Sequence, residues 1–172
     1  MIEFVLTRRF FSTMGIFGEL HEATSGFRCK TVERPQMPSG MRTMTAGRRG
    51  RYALDCGRYW LVNKYDAQTL LPYFRIVARG VFRDAAFMGY KPLKPGCIAI
   101  GRDYALDGTA VDGRMALAKM AALIDKFINE GRLAPLGKQG MVALDIVEDA
   151  TYHHEAYQQE DEEEELFDCK DW

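Results

Sequence analysis

The sequence predicts a mainly β domain, a compact barrel or sandwich-like sheet with one packed C-terminal helix, α+β in class. Three observations carry this. Short runs rich in β-branched and aromatic residues recur through residues 1–100 and again at 141–148. Glycine, proline and small polar clusters separate them. A single long stretch, about 113–130, places its apolar residues at helical spacing.

"IEFVLTR" opens the chain as a strand, and "FFSTMG" reads as a turn. "IFGELHE" and "GFRCKTVE" are the next two strands, joined by the short polar "ATS" and its glycine. In the second, Phe27, Cys29 and Thr31 alternate only partly against Arg28, Lys30 and Val32. The stretch from Arg34 to Arg51, "RPQMPSGMRTMTAGRRGR", is rich in Pro, Gly and Arg and reads as a long connecting loop. "RYWLVNKY" (58–65), "YFRIVARGVF" (73–82) and the short "CIAIG" are further strands.

The helix follows, with Leu117, Met120, Ala121, Ile124, Phe127 and Ile128 on one face. Asp112 is the expected N-cap and Gly131 the expected stop. "MVALDIVE" (141–148) is a last core strand. Residues 1–150 thus form one β-rich domain, and 151–172 a separate acidic arm.

Charge sharpens that division. The net value of −1 hides a basic body and an acidic end. The arm, "TYHHEAYQQEDEEEELFDCKDW", holds the acidic run Asp161 to Glu165. Such a run stays solvated unless something docks it. Leu166, Phe167 and Trp172 are bulky apolar groups set among the acids, a layout in which charge steers and aromatics anchor. Arg48, Arg49 and Arg51, beside Arg42, are the complementary basic cluster.

Other classes find less support. No apolar run approaches the ~18 residues of a membrane-spanning helix. The opening "MIEFVLTRRF" lacks the charged-then-apolar order of a signal peptide, so export by that route is not expected. The four cysteines, Cys29, Cys56, Cys97 and Cys169, are scattered without a CxxC pair, which points to reduced thiols and no zinc. His153 and His154 are adjacent, so their side chains diverge and make a poor metal seat. The arginine-rich loop lacks interleaved aromatics, which argues against a nucleic-acid partner. No cofactor is expected.

"LTRRFFSTMGIFGEL", "RCKTVERP", "CGRYWLV" and "PGCIAIG" occur in this order. Together they resemble an uncharacterised family of small phage and prophage β-domain proteins. The matching positions are Arg9, Gly18, Glu19, Leu20, Cys29, Thr31, Glu33, Pro35, Gly57, Tyr59, Gly96, Cys97, Ile98 and Gly101, within about residues 4–101. The resemblance implies a phage or prophage origin, a compact β fold with a trailing helix, and no established activity.

That family's Gly-Cys-Ile block is in turn similar to the active-site segment of cell-wall L,D-transpeptidases. Those enzymes attack a peptide carbonyl with a thiolate, which requires a base beside a thiol of ordinary pKa about 8.5. In both groups the histidine comes from an upstream strand in a context like Ile-x-Ile-His-x-Gly. Here the corresponding "FRIVARGVF" has Ala78 at the imidazole position, followed by Arg79 and Gly80. A guanidinium can lower a neighbouring thiol's pKa but does not shuttle protons. Loss of a general base removes on the order of 10² to 10⁴ in rate.

The sequence therefore leads to a non-catalytic reading. Cys97 becomes a small buried residue after the Pro95–Gly96 turn, and the chain acts by protein–protein contact. In its most concrete form it is an accessory virion component associated with tail, neck or capsid. Its partners would be other phage structural proteins or a second copy of itself, and its location the virion or the host cytoplasm. Two alternatives stand beside it. One is a cysteine-dependent peptidoglycan-peptide transpeptidase or hydrolase using Cys97, with His21 as its base. The other is a phage inhibitor of a host protein.

Overall fold

The computed structural model describes residues 2–12, 15–34, 53–65, 72–77, 85–89, 96–132 and 142–149. Within them are ten strands and one helix: β1 (Ile2–Ser12), β2 (Gly15–Glu22), β3 (Arg28–Glu33), β4 (Gly57–Tyr65), β5 (Pro72–Val77), β6 (Ala86–Met88), β7 (Ile98–Gly101), β8 (Asp103–Tyr104), β9 (Ala110–Val111), α1 (Gly113–Asn129) and β10 (Val142–Glu148). Eight of the strands close into a barrel in the order β1-β10-β4-β5-β6-β7-β3-β2. Of the two predicted arrangements, the barrel is the one formed.

Closure joins the two ends of the barrel's chain order. β1 and β10 run parallel, with Ile2 against Val142 and Arg8 against Glu148. β6 and β7 are also parallel; the remaining neighbours are antiparallel. One end of the barrel, here the mouth, therefore collects the ends of β1, β3, β5 and β10 and the starts of β2, β4 and β7. The opposite end, the floor, collects the start of β1 and the ends of β2, β4 and β7.

The period of two along each strand fills the interior. Ile2, Phe4 and Leu6 of β1 point inward, with Leu20, Cys29, Tyr59, Leu61, Phe74, Ile76, Phe87, Ile98, Ile100, Val142, Leu144 and Ile146 from the others. β1 is longer than its sequence suggests. Phe10, Phe11 and Ser12 were expected in a turn but extend the strand and pair with Phe17, Ile16 and Gly15. A bulge between Arg8 and Phe10 shifts the register there, which adds twist and re-aims the following side chains.

The partial alternation in β3 also has a physical cause. Cys29 faces the interior, yet Val32 on the other face is buried too. The small hairpin β8–β9 covers that outer face, so Val32, Ala99 and Ala110 pack together with Phe17 and Tyr104. Tyr104 fastens the cover: its hydroxyl donates to the Gly18 carbonyl at 2.6 Å, and its ring meets Phe17 edge-on.

Helix α1 packs on β5, β6 and β7. Ala116, Leu117, Met120, Ile124 and Phe127 join the same apolar cluster as the inward strand residues, so the helix closes the barrel on its floor side. Its first turn lies so near the residue that follows β6 that a Cβ on Gly113 would overlap the Gly89 backbone. Asp112 holds the N-cap position but does not cap through its side chain. Its carboxylate pairs with Arg102 at 3.1 Å instead, and its backbone is left-handed at φ 57°. Gly131 does end the helix. At φ 68° it sends its N–H to the Ile128 carbonyl, while the Arg132 N–H reaches the Phe127 carbonyl at 2.9 Å. That pair of bonds is a Schellman stop. Arg132 then lies over the Phe127 ring, 4.1 Å from its centroid.

Candidate functional site

The mouth is where the barrel departs from an ordinary apolar interior. The inward series Ile2, Phe4, Leu6 continues with Arg8, whose side chain is wholly buried. Its Nε and Nη2 donate to Glu33 Oε1 and Oε2 at 2.9 and 2.7 Å, a two-pronged pair across β2 to the end of β3. Nη2 also donates to the Leu54 carbonyl. Nη1 lies 3.4 Å from Glu148 Oε1 at the end of β10 and 3.6 Å from the Cys56 sulfur.

The local sequence makes room for this. β2 separates β1 from β3, and its residue in register with Arg8 is Gly18. A Cβ at Gly18 would come within 2.5 Å of the Thr7 carbonyl oxygen and 3.0 Å of Thr31 Oγ1. Bare backbone lets the guanidinium pass over β2 and meet the carboxylate beyond. One arginine thereby ties together β1, β3, β10 and the segment entering β4. Tyr59 adds a further tie, its hydroxyl donating to the Asp55 carbonyl at 2.6 Å.

Electrostatics fix the protonation states. Burial alone pulls the Arg8 guanidinium down, but the Glu33 bond and charge outweigh it and raise its pKa above the usual value, so it stays charged. Cys56 is exposed, yet partial desolvation first and the Glu148 carboxylate second push its thiol up to about 11, against the opposing pull of Arg8. Its thiol is protonated at neutral pH and is a poor nucleophile. Cys29 is pushed up to about 12 by burial and by Glu19.

The residues of the cysteine-enzyme alternative are not brought together. Cys97 is 3% exposed. It sits at the mouth, just before Ile98, which is in register with Glu33. His21 is on the outward face of β2 and in register with Arg28, at the floor. From Arg28 to Glu33 the strand rises roughly 16 Å, at about 3.3 Å per residue, whereas proton transfer needs contact at about 3 Å. His21 therefore cannot serve Cys97 as a base in this fold. Ala78 lies outside the described residues, as do Arg48, Arg49, Arg51, Leu166, Phe167 and Trp172.

Sequence reasoning missed the Arg8–Glu33 pair, although its signal is present. Extending the alternation of Ile2, Phe4 and Leu6 by one step puts Arg8 inside the barrel, and Cys29, Thr31, Glu33 does the same for the carboxylate. A buried charge at such a position requires a partner. Among the described residues no group of three or more His, Cys, Asp or Glu could hold a metal ion, and no helix is long and apolar enough to cross a membrane.

Outside the mouth runs a row of rings. Phe10 is 55% exposed and leans on Phe17, with centroids 6.1 Å apart; Phe17 meets Tyr104 at 5.2 Å. Arg9 stands beside them, 3.4 Å from Glu19 and 3.7 Å from Asp149. No family model matches the chain, and no curated protein and no solved structure matches it.

Proposed function

We propose that this protein is non-catalytic and acts by protein–protein contact, as an accessory virion component of a phage associated with its tail, neck or capsid. The observation that carries the reading is topological. β3 ends at Glu33 and β4 begins at Gly57, both at the mouth, and β10 ends there at Glu148. The basic segment between β3 and β4 and the acidic segment after β10 therefore leave the barrel from one end. Opposite charges anchored at one rigid end suit a docking device, in which charge guides the approach and buried aromatics hold.

The chemistry of the mouth favours contact over turnover. Its guanidinium is fully engaged by Glu33, Leu54 and Glu148, and its nearest thiol is protonated. Cys97 is closed off, and the histidine considered for it stands at the other end. The phage assignment rests on the ordered motifs from Arg9 to Gly101.

Removal of residues 151–172 tests the reading. The shortened protein should fold and lose its place in purified virions. Retention at the level of the intact chain would overturn the docking role. Absence of the intact chain from virions would instead favour an inhibitor of a host protein.

A further inference from the structure

Four large apolar side chains are notably exposed among the described residues: Phe10, Leu106, Met115 and Val147. Leu106 tips the β8–β9 hairpin, and Met115 lies on the helix near its start. Phe10 and Val147 differ from these because they share one outer face. Val147 is in register with Thr7, and the next outward positions of β1 are Arg9 and Phe10. Phe17 and Tyr104 extend the same face across β2. Val147, Arg9, Phe10 and Phe17 thus lie on one outer face of the barrel near its mouth.

The chain itself delivers a candidate occupant to that face. The Asp149 N–H donates to the Arg8 carbonyl at 2.9 Å, and the Asp149 carboxylate lies 3.7 Å from Arg9. The acidic segment therefore starts beside Phe10. Leu166 stands 17 positions after Asp149, a span of up to about 55 Å when extended, so reach sets no barrier. The segment also carries apolar groups, Leu166, Phe167 and Trp172, that could cover the exposed Phe10 ring and Val147. A tethered segment meets its site at a high effective concentration, so modest contacts suffice.

We infer that the outer face carrying Val147, Arg9, Phe10 and Phe17 is the docking site for the chain's own residues 151–172, with their apolar side chains seated against Phe10 and Val147. The inference rests on the contact reading above and adds the surface involved and its location in cis.

The test is limited cleavage of the intact chain by a glutamate-specific protease, whose targets are concentrated at Glu160 and Glu162 to Glu165. A docked segment is cut at a rate set by its open fraction. The double variant Phe10→Ser, Val147→Ser should be cut about 10-fold faster than the parent, the response expected when a docking equilibrium worth about one decade is lost. Both positions are exposed, and an unchanged melting temperature will show that the barrel is intact. Single-site Phe10→Ser removes only one of the two contacts and should give a smaller acceleration. Equal rates for parent and variants would overturn the inference. So would protection that rises with protein concentration, which would place the segment on a second copy. The two readings fail separately. Free cleavage together with loss of the shortened chain from virions removes docking in cis and leaves the contact function, whereas protected cleavage with full virion retention does the reverse.

Discussion

The two ends of this barrel are closed by opposite means. At the floor, α1 lays Ala116, Leu117, Met120, Ile124 and Phe127 against the inward strand residues, and the closure is apolar. At the mouth, Arg8 is locked to Glu33 and shared with Leu54, Glu148 and Cys56, and the closure is ionic. Apolar packing tolerates local error gradually, because each lost methylene removes a limited amount of transfer and contact energy. A buried ion pair behaves differently. Its net contribution against an apolar replacement is small, yet removing one partner strands a charge out of water. The floor is therefore a source of stability. The mouth is a geometric constraint that keeps four chain segments in fixed relation where the charged segments depart.

Breaking the pair on one side should have the largest effect. Glu33→Gln leaves Arg8 buried without its counter-charge and should destabilise the fold by about 3–5 kcal/mol, read from urea unfolding. Replacing both partners, Arg8→Met with Glu33→Leu, should recover most of that loss. If the double change were as damaging as the single, the mouth would be held by something other than charge compensation.

At the floor, Met120→Ala should cost about 2–5 kcal/mol by leaving a cavity under the helix. No second substitution of charge type should rescue it. Rescue would come only from refilled volume, which distinguishes the two closures.

A smaller effect is expected from Glu22, at the floor end of β2. Its carboxylate accepts from the Thr24 and Ser25 N–H groups at 3.1 and 2.6 Å. Burial pushes its pKa up, but those bonds from Ser25 and Thr24 outweigh it and hold the carboxyl below its ordinary 4.5. A carboxylate depressed in the folded state contributes stability that is present above the unfolded value and is lost as pH falls through the folded one. Glu22→Gln should therefore flatten the loss of stability below about pH 4.5. An unchanged acid limb would show that Glu22 is not part of it.

Much of the architecture is legible in the chain. "IFGELHE", "RYWLVNKY" and "MVALDIVE" carry enough β-branched and aromatic residues to mark β2, β4 and β10. The stripe from Leu117 to Ile128 marks α1, and Gly131 marks its end. What escapes is short or non-local. β6, β8 and β9 hold 3, 2 and 2 residues, too few for any period to emerge. Asp112 takes the expected N-cap position, but its carboxylate pairs with Arg102, between β7 and β8, a partner that local sequence does not reveal. The extension of β1 through Phe11 depends on the partner strand and on the bulge after Arg8, neither of which a local reading contains. The candidate site divides the same way. Cys97 is marked by its motif, but its burial follows from closure of the barrel around Ile98. Arg8 and Glu33 are 25 positions apart in sequence, and only the placement of β1 and β3 on either side of β2 brings them together.

Contact at the mouth, as proposed above, is open to a direct test in the particle. The intact chain and the chain lacking residues 151–172 would be quantified in purified virions, with the fold of each checked by thermal unfolding. Both proteins should melt cooperatively, and the shortened one should be lost from the particles. Equal occupancy of the two would contradict contact at the mouth.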